Sequence, residues 1–244
     1  MSNESKPRPE LEVPQKEKHP HIPARKILDR IILGGSDGTI EGLATTAALN
    51  GTGVGFGTIA VAGLAFAVAG AISMFASAYL SQRSARKSFE IDAAREKMEI
   101  ETEPEEEKSE MVALLKREGY ADEEVDVIMK RLTRDKGLWL REMLRRELRV
   151  NPEDVGSDHL SGAAAAGVSF LLLALLAVSP YVLLAGRVDA LTASVSLSLF
   201  ALFALGSRVF IPRNFSPLAG LESAGVGALA GAVLYLVGLL ISSR

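Results

Sequence analysis

Residues 42–82, GLATTAALNGTGVGFGTIAVAGLAFAVAGAISMFASAYLSQ, contain no charged side chain in 41 consecutive positions. A hydrocarbon core of about 30 Å takes about 20 apolar residues of helix, so this run is long enough to cross twice. Asn50-Gly51-Thr52-Gly53 supplies turn chemistry inside it. The stretch therefore predicts a helical hairpin, with span one over about Ile31 to Leu49 and span two over about Gly55 to Leu80. Working outward, residues 160–186, 190–207 and 223–243 are also uncharged, which predicts spans over about Gly162 to Leu184, Leu191 to Arg208 and Leu218 to Ile241. The expected fold is all-α: a polytopic membrane protein with five transmembrane helices and a cytoplasmic helical metal-binding insert between spans two and three.

The whole-chain balance conceals this segregation. The 244 residues carry 30 acidic and 27 basic side chains, a net charge of −3, at 48% hydrophobic content. Only their separation into blocks excludes a soluble cytosolic enzyme. Residues 1–26 place five prolines among charges of both signs and read as a disordered tail, because they bury too little apolar surface to offset the entropy of ordering. Residues 27–82 then hold spans one and two, 83–158 the acidic insert, and 159–244 spans three to five. No short apolar core precedes a small-residue cleavage site, so no secretory signal is expected. Lys and Arg number 7 in residues 1–30 and 16 in 83–158, against 4 beyond residue 158, which predicts a cytoplasmic N-terminus and a cytoplasmic insert. Without cysteine, disulfides and thiolate sites are excluded. His19, His21 and His159 are too few and scattered for a histidine-rich metal centre or a Ser/His/Asp arrangement.

The insert holds 21 of the 30 acidic residues beside 16 basic ones. Breaks at Pro104, Gly119, Gly137 and Pro152 divide it into helices over about Arg83 to Thr102, Glu105 to Glu118, Asp122 to Arg134 and Leu138 to Val150. Glu96 and Glu99 are three apart, as are Glu107 and Glu110, so each pair shares a helix face, and a reversal at Pro104 would make the pairs face each other. Met143 and Glu147, four apart, could add a sulfur and a carboxylate. An all-oxygen set suits Ca²⁺ or Mg²⁺, whereas a thioether shifts the preference toward Fe²⁺, Mn²⁺, Co²⁺ or Zn²⁺. The plainer reading is a set of solvated acidic helix faces. Arg141, Arg145, Arg146 and Arg149 follow helical spacing ahead of span three and are expected near anionic headgroups. A net-acidic insert with one tryptophan, Trp139, and no recognition motif excludes nucleic acid as a partner.

Within span one, Asp37 and Glu41 share a helix face, and a carboxylate at mid-membrane costs about 2.5 to 3.5 kcal/mol or more. Either they line a path for a cation or proton, or they sit at the interface. Met74 in span two is packing filler unless a carboxylate accompanies it. Gly35, Gly38 and Gly42 lie on nearly one stripe, suited to close packing with another span. Glu222, near the start of span five, is either interfacial or functional.

Three features together resemble the vacuolar iron transporter family, which includes the yeast-type calcium-cross-complementing and plant-type iron transporters. They are Ser36-Asp37-Gly38 opening span one, Gly70-Ala71-Ile72-Ser73-Met74 in span two, and the long acidic insert. The resemblance covers about Ile31 to Ile241. It implies a five-span homodimer, without a permanent cofactor, that moves Fe²⁺ and other divalent metals out of the cytosol in exchange for protons. It implies that Asp37 and Met74 belong to an ion path at the dimer interface, and that Glu96, Glu99, Glu107, Glu110, Met143 and Glu147 are the cytoplasmic metal-binding positions. The chain departs from the family where a glutamate often stands eight residues before the methionine; here that residue is Phe66. Glu41 is a hypothetical compensating carboxylate. The resemblance also implies the membrane: plasma membrane in a prokaryote, vacuolar membrane in a eukaryote, with lipid, metal ions, protons and a second copy as partners. A membrane-anchored metal-binding or sensor protein that does not transport is the alternative. A di-iron oxidase is disfavoured, because the Glu-x-x-His pairs of such bundles are absent.

Overall fold

The computed structural model describes residues 22–149, 159–184, 190–209 and 215–243. The described residues form eight helices and no strand: α1 (Ile22–Gly51), α2 (Phe56–Thr102), α3 (Pro104–Arg117), α4 (Asp122–Leu132), α5 (Lys136–Arg146), α6 (His159–Leu183), α7 (Ala190–Gly206) and α8 (Pro217–Ser242). Residues 1–21 of the expected tail lie outside the described residues, and 22–26 already belong to α1. Three helices, α2, α6 and α8, are long and apolar enough to cross a membrane. α1 is diluted by Asp37, Glu41 and its glycines, and α7 is apolar but has only 17 residues.

The turn between α1 and α2 falls at Asn50 to Gly53, where the Gly53 N–H donates to the Asn50 carbonyl at 3.0 Å and Gly53 takes φ +74°. α6 packs against α1, α2 and α7, and α8 closes the bundle against α1 and α7. Small residues set these approaches. A Cβ on Gly34 would strike the Ala166 carbonyl of α6, one on Gly38 would strike the Phe170 carbonyl, and Gly42 rests against Ala174 and Ala177. The row on α6 is therefore Gly34, Gly38 and Gly42. Gly35, expected in that stripe, lies to one side of the row, between Leu205 of α7 and the Leu173 side chain of α6, because one residue of helix is a rotation of about 100°. Inside the bundle Ser194 of α7 donates to the Ala177 carbonyl of α6 at 2.6 Å. On its outside Val61, Ile72, Phe200, Leu229 and Leu240 are each more than half exposed. Such a surface would aggregate in water; it marks an integral membrane protein.

α2 differs from expectation. The separate helix expected over Arg83 to Thr102 is the second half of one 47-residue helix, about 70 Å long. The reason is in the sequence, which has neither Gly nor Pro between Gly70 and Pro104. Residues 82 and 83 mark a change of composition without a break in the chain.

At the far end of α2 the short helices α3 and α5 pack on α2, and α4 packs on both α3 and α5. They enclose their own core of Ile100, Met111, Leu115, Val125, Leu132, Trp139 and Met143. α5 starts two residues before its expected start at Leu138, because the Asp135 side chain accepts from the N–H groups of Gly137 and Leu138, both at 3.0 Å, and so caps the helix. It also ends earlier, leaving Glu147 as its C-terminal cap residue, whose N–H donates to Met143 O at 2.8 Å.

Candidate metal centre

α2 ends where the Glu103 N–H donates to Glu99 O at 2.8 Å, and Pro104, with no N–H to lose, opens α3 in the reverse direction. This fold-back carries Glu107 of α3 against Glu96 of α2. Both are carboxylates in a nearly dry place, Glu96 2% and Glu107 5% exposed. Burial, then the negative Glu147, then hydrogen bonding with Glu107 push the Glu96 carboxyl up to about 8. Glu107 is raised as well, by burial first, with Glu110, Glu99 and Glu147 adding repulsion and the hydrogen bond with Glu96 acting the other way. A proton held on Glu96 has Glu107 and Glu147 as carboxylate neighbours with which to share it. Among the described residues Glu96 Oε1 and Glu107 Oε2 have no hydrogen-bond donor, an arrangement that is expensive when buried.

Beside this pair lies an open cavity of about 310 Å³ lined by Glu110, Ala113, Leu114, Arg117 and Glu147. Of the six expected insert residues, Glu96, Glu99, Glu110 and Glu147 therefore all lie within electrostatic reach of Glu107, the fifth. Glu99 has a loose partner in Arg95, 3.7 Å away. The sixth, Met143, is fully buried in the apolar core that also holds Trp139 and Met111. Among the described residues no group of three or more His, Asp or Glu side chains is disposed to close around one ion. Burial first and repulsion among the carboxylates second raise Glu96 and Glu107, and a divalent cation is the chemical species that would relieve that repulsion.

The residues expected in the membrane path stand apart. With the row Gly34, Gly38 and Gly42 turned to α6, Asp37 is left half-buried and Glu41 exposed. Met74 is half-buried where α2 meets α6, between the Ala67–Phe170–Ala174 and Ala78–Ala163–Ala166 clusters. Phe66 packs in the same seam, its ring centroid 6.3 Å from that of Phe170. Glu222 is exposed on α8.

One arginine of the basic row is held by partners within the insert. Arg146 is largely buried, with Nε donating to Glu142 at 3.0 Å, Nη1 paired with Glu118, and its guanidinium 5.9 Å from the Tyr120 ring centroid. The helical spacing of Arg141, Arg145, Arg146 and Arg149 groups them, but Glu142 one turn before Arg146 is the signal that sets it apart.

The VIT family profile matches residues 28–239. Vacuolar iron transporter 1 of Arabidopsis thaliana is 32% identical over 216 residues, covering 88% of this chain and 86% of that protein. The vacuolar iron transporter of Centaurea cyanus is 30% identical over 222 residues, covering 89% of each, and that of Plasmodium falciparum is 28% identical over 227 residues. All are named as transporters and none as an enzyme. With the profile spanning both the bundle and the acidic insert, the chain belongs to the VIT family.

Proposed function

We propose that the protein exports Fe²⁺ from the cytosol, and Mn²⁺, Co²⁺ or Zn²⁺ less selectively, by exchange with protons. The observation that carries this reading is the burial of Glu96 against Glu107 with Glu147 beside them. Hard carboxylate oxygens gathered in this way suit a divalent ion, and the relatives named as iron transporters support a transition metal; the Met143 thioether, in the apolar core, does not contribute to that preference. Metal and proton compete for the same carboxyls, so capture at the insert releases protons and acidity on the far side releases metal.

In this reading α1, α2, α6, α7 and α8 are five spans. The 17 residues of α7 fall at the short end of the spanning range of about 17 to 25. The dense Lys and Arg of residues 1–30 and 83–158 keep both on the cytoplasmic side. Asp37 and Glu41 cannot face hydrocarbon at about 2.5 to 3.5 kcal/mol each. A second copy would cover that face, making a homodimer whose interface carries the ion past Asp37 and Met74. The membrane would be vacuolar in a eukaryote, as the relatives' names suggest, and the plasma membrane in a prokaryote.

The test is Fe²⁺ flux into proteoliposomes with and without an imposed pH gradient, for the wild type and Asp37→Ala. Flux that follows the gradient and disappears in the variant is expected. Metal bound by the insert with no flux in the wild type would favour the sensor reading and sink this one.

A further inference from the structure

Glu147 is the one expected carboxylate that is not held by a helix interior: it caps the C-terminus of α5. α5 packs on α2 and α4 and shares its apolar core with Met111 and Leu115 of α3, which brings its end near α3 but does not by itself set the Glu147 side chain over Glu107 and Glu110. The residue before it does. Arg146 reaches Glu118, the C-terminal cap of α3, stacks over Tyr120 in the α3 to α4 link, and is braced from behind by Glu142. A guanidinium holds such a position well, because its planar fork serves two carboxylates and an aromatic face at once. With about one-sixth of its side chain exposed, it is screened less than a surface pair.

We propose that Arg146 is a positioning residue for metal capture: by clamping the end of α5 to the end of α3 it fixes Glu147 at the cavity shared with Glu110. This rests on the metal-capture reading above. Arg146 itself binds no metal. It acts through Glu118, and loss of a group that orients a ligand typically weakens metal affinity about 10- to 100-fold.

The experiment titrates the full-length protein in lipid nanodiscs with Mn²⁺ alone, reading free Mn²⁺ by electron paramagnetic resonance and the fold by Trp139 emission. Arg146→Met should weaken Mn²⁺ binding about tenfold with Trp139 emission unmoved. Glu118→Gln should weaken it in the same direction, the double variant should bind no worse than Arg146→Met, and Arg146→Lys should recover part of the loss. Unchanged affinity in Arg146→Met, or losses that multiply in the double variant, would overturn the proposal. If Arg146→Met disturbs Trp139 emission, Glu118→Gln and Arg146→Lys decide: weakened binding in Glu118→Gln with native emission upholds the clamp, and wild-type affinity in both ends it. A wild type that binds no Mn²⁺ would remove the metal-capture reading as well. By contrast, a loss in Glu147→Gln but none in Arg146→Met would remove the clamp alone.

Discussion

Glu96 of α2 and Glu107 of α3 share a hydrogen bond in a nearly dry setting, and each keeps one oxygen that has no donor among the described residues. Such a pair is stable only with a proton between its members or a cation in the proton's place. Its charge state therefore links pH, metal and the stability of the insert.

The first consequence concerns stability without metal. The Glu96 carboxyl stands at about 8 in the folded chain against 4.5 ordinarily, so between those values the folded state binds the proton that the unfolded state has lost. Stability then falls as pH rises. The melting midpoint of the chelator-treated protein, followed by Trp139 emission, should decline from pH 4.5 toward pH 8, and Glu96→Gln should flatten the decline. A midpoint that rises over this window in the wild type would contradict the shared proton.

Metal uptake should show the opposite slope. Mn²⁺ must displace the proton on Glu96, so affinity should increase as pH rises toward 8, with proton release measurable in weakly buffered solution. Glu96→Gln should bind more weakly and release fewer protons. Equal release from both proteins would place the displaced proton elsewhere.

Close packing of α1 on α6 makes Gly38 intolerant of a larger residue. A side chain there meets the Phe170 backbone, which cannot swing aside as a flexible side chain would. Overpacking of this kind costs about 1 to 3 kcal/mol. Gly38→Leu should lower the melting midpoint in detergent clearly more than Gly57→Leu, whose position is open.

In the proposed membrane path, Glu41 is the second carboxylate beside Asp37 on α1, since Phe66 fills the α2–α6 seam against Phe170. Glu41→Gln should therefore reduce proton-coupled flux in proteoliposomes while leaving Mn²⁺ binding by the insert unaltered. Undiminished coupling in that variant would dismiss the compensation idea.

Asp135 offers a local check on the insert. Its carboxylate is held below its usual range by the backbone N–H of Leu138, with Gly137 also donating. Asp135→Ala should lower the insert's melting midpoint at neutral pH. The deficit should shrink in acid, where the wild-type carboxyl is itself protonated and caps less well.

Much of this architecture was readable from charge placement. The uncharged runs located the helices that form the bundle, and Asn50 to Gly53 located their first turn. The acidic pairs at 96/99 and 107/110, separated by Pro104, anticipated the fold-back. What was less visible depends on rotation and on partners. Whether Gly34 or Gly35 completes the row at α6 turns on a single residue step, and α6 decides it. The start of α5 was obscured because Gly137 reads as a break until Asp135 is seen to cap across it. Arg146 was hidden among arginines that share its spacing, since its partner Glu118 lies 28 residues away. Met143 illustrates a limit of spacing, which places it a turn from Glu147 but does not say that its side chain enters the apolar core.

The unbroken α2 has a mechanical consequence. From Leu80 to Glu96 the same rod runs for 16 residues, about 24 Å, with no hinge between the bundle and the acidic helices. A tilt of about 10° in its membrane half would carry Glu96 sideways by roughly 4 Å, more than a metal–oxygen bond. Any rocking of the bundle during transport would thus be transmitted to the carboxyls as a lever transmits it, changing their spacing against whatever the insert is braced upon.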